Sequence, residues 1–153
     1  MLENLNQIEI ILILIVFMLF LIGITCFIFF RKNKGDKFEE MDGYEFEYFC
    51  ADLLMKRGFQ NAEVTKASGD FGIDIIAERD GISYGIQCKK YNKPVGVRAI
   101  QEVYAGRDFY DLMVGVVMTN EFFTTPAVEA ARKLKIVLWD GGYLKEMIDE
   151  SDL

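Results

Sequence analysis

Along the chain, apolar positions first run unbroken and later become periodic. From Ile10 to Phe30, 21 consecutive residues carry no charge. As a helix rising about 1.5 Å per residue, that run would extend roughly 31 Å, the hydrocarbon thickness of a bilayer. A buried core helix rarely stays apolar on every face over such a length. A cleaved secretory signal fits poorly, because only Glu3 and Glu9 precede the run and no small-x-small site follows it. The expectation is a single transmembrane helix over 10–30 after a short extracytoplasmic N-terminus at 1–9. Arg31, Lys32, Lys34 and Lys37 follow the run. Positive flanks stay inside, so the N-terminus is expected outside and the remainder cytoplasmic at the cell membrane. The lipid bilayer is then a partner through residues 10–30. A charged linker at 31–41 leads to a domain over 42–153.

Within 42–153 the apolar positions become periodic. Asp42 and Glu45 form a capping-box pattern ahead of a helix over Gly43–Arg57, and Gly58 supplies the stop. Phe46, Phe49, Cys50, Leu53 and Leu54 recur at helical spacing as its buried stripe, with Glu47 at the edge. A short strand is expected around Ala62–Thr65. Two strand-like runs, Phe71–Glu78 and Ile82–Lys89, flank Asp80-Gly81, a type I′ hairpin signal. Helical spacing returns over Val97–Tyr110, and a continuous apolar strand follows at Val114–Met118. Thr125-Pro126 opens a helix to about Lys133, with Thr125 as N-cap. A strand at Ile136–Trp139 and a short helix over Tyr143–Asp149 complete an order of α-β-β-β-α-β-α-β-α. The expected fold class is α/β, with a mixed central sheet flanked by helices on both faces.

A two-residue loop at Asp80-Gly81 places Arg79 opposite Ile82. The same register sets Asp74 opposite Gln87, and cross-strand partners share a face. Lys89, two residues further on, shares it too. The other face reads Ile73, Ile75 and Ala77 against Tyr84, Ile86 and Cys88, apolar throughout. One face of the hairpin is core, and the other gathers an acid, an amide and a lysine.

Composition narrows the chemistry. There is no His, which excludes Ser/His/Asp triads and His-liganded zinc. Cys26, Cys50 and Cys88 are too widely spaced for a zinc ribbon, and Cys50 and Cys88 read as small buried hydrophobes. Residues 42–153 hold 13 Lys+Arg against 19 Asp+Glu, which argues against a general nucleic-acid coat protein. An enzyme with a local basic cleft and a metal remains compatible with that balance.

Asp74, Gln87 and Lys89, with Glu47 on a neighbouring helix, are the parts that metal-assisted phosphodiester hydrolysis requires. Mg²⁺ takes oxygen ligands, usually one or two carboxylates and several waters. Asp74, Glu47 and Gln87 can supply oxygens. Lys89 can orient or deprotonate a water, or stabilise charge on a transferring phosphate. Periodicity alone leaves open a solvated hairpin face whose Asp and Lys pair loosely.

The stretches Gly43-Tyr-Glu-Phe-Glu47, Ala51-Asp-Leu-Leu54, Ser68-Gly-Asp-Phe-Gly-Ile-Asp74 and Ile86-Gln-Cys-Lys89 carry a resemblance. So do Val95-Gly-Val97, Gln101-Glu102, Val117-Met-Thr-Asn120 and Leu138-Trp-Asp-Gly141. Together they resemble the Mrr-like restriction endonuclease family of the PD-(D/E)xK nuclease superfamily. The resemblance implies a restriction-endonuclease-like αβββαβ core, Mg²⁺ dependence (with Mn²⁺ as substitute) and cleavage of DNA in restriction or defence. It implies metal ligation by Asp74, Gln87 and Glu47, and a catalytic role for Lys89. Asp70, in the same motif, either supports the site or forms a turn. Gln87 stands where the wider superfamily has an acid, so metal affinity should lean more on Glu47 and the DNA phosphates.

Lys66, Lys90, Lys93, Arg98 and Arg107 are candidates for phosphate contacts, with a solvated surface as the alternative for each. Thr119 and Asn120 either reach the site rim or serve a turn, and Trp139 reads as core. This fold often cuts double strands as a homodimer, although no surface in the sequence announces one. The alternative function is a catalytically weak, membrane-tethered DNA-binding or assembly module that retains a nuclease fold.

Overall fold

The computed structural model describes residues 2–32, 40–65 and 71–151. The chain divides into two compact units, Met1–Glu40 and Met41–Leu153. The first holds one helix, α1 (Leu2–Lys32). Its side chains are described at Gln7 and over residues 9–25, and all of these are exposed. Among the described residues, no helix is long and apolar enough to cross a membrane. The expected transmembrane helix at 10–30, its lipid contact and the single-pass placement with a cytoplasmic domain are corrected on that ground.

The second unit follows the expected element order. Helix α2 (Gly43–Lys56) leads into β1 (Gln60–Val64), β2 (Ile75–Arg79) and β3 (Ile82–Lys89). Then come α3 (Val97–Phe109), β4 (Val114–Thr119), α4 (Thr125–Leu134), β5 (Val137–Trp139) and α5 (Gly141–Ser151). The five strands lie in the order β1-β2-β3-β4-β5. The first three pair antiparallel, and β3, β4 and β5 pair parallel. Helices α2 and α5 pack on each other and α3 on α4, giving a layer on each side of the mixed sheet.

Local chemistry explains most boundaries. The Asp42 carboxylate accepts the Glu45 N–H at 2.8 Å, and Glu45 Oε2 accepts the Asp42 N–H at 2.9 Å, a complete capping box. Phe46, Cys50, Leu53 and Leu54 are buried from this helix. Asp80 and Gly81 both take positive φ (53° and 76°), as a type I′ turn requires. Arg79↔Ile82 through Ile75↔Ile86 then pair in the register that the turn sets.

Four of the boundaries that differ have a local reason. Helix α4 is capped by Thr124, not Thr125, whose hydroxyl accepts the Ala127 N–H at 3.3 Å. Thr124 is held extended because its own N–H donates to the Val95 carbonyl at 3.0 Å. Helix α5 starts earlier than Tyr143 because Asp140 Oδ1 accepts the Tyr143 N–H at 2.9 Å. Strand β1 begins at Gln60 and carries an irregularity at Asn61, where φ is 52°.

The fourth difference shapes the site. Strand β2 begins at Ile75 rather than Phe71, because Phe71 (φ 50°) and Gly72 (φ 86°) form a left-handed turn. A Cβ on Gly72 would lie 2.8 Å from the carbonyl oxygen of Glu102 in α3, so this turn rests on helix backbone. Ile73 consequently packs with Ile100, Val103 and Val117 in the α3/α4 core, not on the expected Ile75/Ala77 face.

Candidate active site

The register ends where the chemistry begins. The β2–β3 ladder finishes at Ile75↔Ile86, while β3 continues to Lys89 along β4. Beyond the last pair, a side chain replaces the missing strand: Asp74 Oδ2 accepts the backbone N–H of Cys88 at 2.7 Å. The Asp74 backbone is also fixed, its N–H donating to Ile86 (2.9 Å) and its carbonyl accepting from Thr65 (2.9 Å). The buried Asp74 carboxylate therefore sits on the backbone residue between Gln87 and Lys89.

Gln87 and Lys89 alternate to the α3 side. Gln87 is 3% exposed, and its Nε2 donates to Glu102 Oε2 at 3.3 Å. Lys89 Nζ lies 3.4 Å from the same oxygen. The other oxygen of Glu102 accepts Arg98 Nε at 2.8 Å, one helical turn away. Lys89, Arg98 and Glu102 border a cavity of about 350 Å³ with Tyr91, Val95 and Gly96. Gln87 Oε1 is buried with no hydrogen-bond partner among the described residues. A buried amide oxygen left without a partner is costly unless something else meets it.

Glu47 lies half-buried in the second turn of α2. Its charge and that of Asp74 both act on the Cys88 thiol. The hydrogen bond with Cys50, burial, and then these charges push the Cys88 thiol well above its ordinary range. Cys50 and Cys88 are buried free thiols.

The remaining expected residues divide by location. Arg98 is at the site, tied to Glu102. Lys90 and Lys93 follow Lys89 on the segment leading to α3, half-buried and exposed respectively. Arg107 is not brought there: it bonds Asp108 and the Leu134 carbonyl and lies over the Tyr104 ring. Asp70 and Lys66 lie outside the described residues. Trp139 is buried and stacks on Tyr143.

Thr119 and Asn120 hold the end of β3. Thr119 Oγ1 donates to the Lys89 carbonyl at 2.7 Å. The Asn120 amide bonds both the N–H and the carbonyl of Tyr91, at 2.9 and 2.7 Å. The sequence reading did not make Glu102 a site residue. Its signal was spacing: it stands four residues after Arg98 on α3, a pattern that reads as an ordinary exposed ion pair until α3 is docked against β3.

Partial burial of Glu102 disfavours its ionised form. The bond from Arg98, the charge and bond of Lys89 and the bond from Gln87 outweigh that, and hold the carboxyl below its usual range. A group with a depressed folded-state pKa stabilises above its unfolded value and loses that contribution as pH falls through the folded value. From about pH 4.3 downward, the melting temperature of the wild-type chain should therefore fall more steeply than that of Glu102→Gln. Parallel slopes in thermal melts between pH 7 and 3 would contradict this.

The oxygens present suit a hard divalent cation. Among the described residues no three His, Cys, Asp or Glu side chains cluster as a metal site. The carboxylates of Asp74 and Glu47 and the amide oxygen of Gln87, unpartnered among the described residues, are donor types of the kind Mg²⁺ takes alongside water.

Comparison with known proteins bears on the fold and the family. A search among curated proteins found no match. Among solved structures, the protein of unknown function AF1548 aligns at a TM-score of 0.60 and 24% identity, over 73% of this chain and 68% of that one. The MspJI restriction endonuclease, solved with a 27-mer oligonucleotide, aligns at 0.56 and 20% identity, over 73% of this chain and 29% of its own. The DNA modification-dependent restriction endonuclease AspBHI aligns at 0.59 and 15% identity, over 76% and 33%. At these identities the likeness is one of fold, and the chain spans no more than a third of either restriction enzyme. Residues 38–148, most of the chain, match the Mrr_cat family of restriction endonucleases, and the chain belongs to that family.

Proposed function

We propose that this chain is a Mg²⁺-dependent DNA endonuclease that hydrolyses phosphodiester bonds in the restriction of foreign or modified DNA. The observation that carries the reading is the buried Oε1 of Gln87, unpartnered among the described residues, with the Asp74 carboxylate bonded to the residue between Gln87 and Lys89. Asp74, Gln87 and Glu47 would hold the cation. Bound there, Mg²⁺ would supply charge stabilisation at the phosphate and a more acidic water. Lys89 lines the mouth of the site, where as an ammonium it can steady a phosphate oxygen, or as a neutral amine take a proton from the attacking water. Arg98, Lys90 and Lys93 supply phosphate contacts that position the duplex without reading its sequence.

The test is cleavage of plain and methylated duplexes by the purified chain in Mg²⁺, Mn²⁺ or EDTA. Nicking or cutting is expected with either metal and none in EDTA. Cleavage that continues in EDTA would reject the metal-dependent reading. Duplex binding in EDTA with no cleavage in any divalent metal would favour a docking module that retains the nuclease fold.

A further inference from the structure

The two ends of the Gln87 amide are not equivalent in this protein. Its nitrogen faces Glu102 Oε2 at 3.3 Å, and its oxygen faces away, buried and without a partner among the described residues. An ionised carboxylate only accepts hydrogen bonds. Were the amide turned over, its oxygen would stand against Glu102 as a second acceptor, so the carboxylate selects one orientation. Glu102 is itself held, with Arg98 Nε on one oxygen at 2.8 Å and Lys89 Nζ at 3.4 Å from the other. An acid at position 87 would need no such selection, because both of its oxygens accept.

We propose that Glu102 is a positioning residue for the nuclease site: by accepting the Gln87 amide nitrogen, it turns Gln87 Oε1 toward the cation and sets Lys89 beside it. This rests on the metal-dependent reading above, and it adds a residue that does not itself touch the metal. Partners that orient a metal ligand are commonly worth about 10–100-fold in metal affinity.

The test uses Mn²⁺ alone with the full chain, its binding followed by electron paramagnetic resonance. Glu102→Ala should weaken Mn²⁺ binding by about 10–100-fold. Glu102→Gln, whose amide can accept from the Gln87 nitrogen but can equally donate to its oxygen, should recover only part of that loss. In a Gln87→Glu background, where no orientation has to be chosen, Glu102→Ala should not weaken binding. A merely structural role would lower affinity equally in both backgrounds, and that result would overturn the proposal. Should Glu102→Ala fail to melt cooperatively, Glu102→Asp, which withdraws the acceptor by one methylene, carries the same comparison. Asp74→Ala separates the two readings. If it abolishes Mn²⁺ binding while Glu102→Ala leaves it unchanged, the positioning role fails alone. If wild type binds no Mn²⁺, or Asp74→Ala binds it normally, the metal-dependent reading falls and the positioning role with it.

Discussion

Asp74→Asn should give a chain that melts like wild type and has lost duplex cleavage by roughly a hundredfold or more. The contrast with Asp74→Ala makes this informative. Asp74 is both the acceptor for the Cys88 N–H at 2.7 Å and a candidate cation ligand. Asparagine keeps an oxygen for the N–H and removes the charge. Alanine removes both and leaves a buried donor unpaired, at a cost of about 1–3 kcal/mol. Asp74→Ala should therefore melt several degrees lower as well as lose cleavage. Thermal melts and a nicking assay in Mg²⁺ separate the two roles. If Asp74→Asn cut DNA at the wild-type rate, its carboxylate would have only a structural purpose.

Lys89→Ala should reduce cleavage by about 10²–10⁴-fold, the range for loss of a positioned acid–base group. Duplex affinity measured in EDTA should change far less, because one phosphate contact among several is lost. Lys89→Arg then distinguishes two ways the lysine can act. Arginine retains the positive charge but does not give up its proton, so partial activity would assign Lys89 to charge stabilisation. Complete loss would fit a proton-transfer role, subject to Arg occupying the same place. Wild-type cleavage by Lys89→Ala would remove Lys89 from the chemistry altogether.

The hairpin was legible because its information is local. Asp80-Gly81 dictates the turn, the turn dictates the register, and a period of two puts Gln87 and Lys89 on one side. The start of β2 was not legible from alternation, since the apolar pattern of Phe71, Ile73 and Ile75 looks continuous. Only contact with α3 reveals that Gly72 is in a turn and that Ile73 joins the opposite layer. Glu102 escaped for a related reason: its role depends on which strand its helix packs against, and spacing along α3 does not report that. The uncharged run at 10–30 was read from its length and its flanking charges. Among the described residues no helix is long and apolar enough to cross a membrane, so that reading does not hold.

One feature of the turn at Gly72 reaches further than its own conformation. The loop that delivers Asp74 approaches the helix that carries Glu102 so closely that a Cβ at position 72 would lie 2.8 Å from the Glu102 carbonyl oxygen. That spacing leaves no room for a side chain at position 72. Variation at position 72 can only widen the gap, so drift acts on this spacing in one direction.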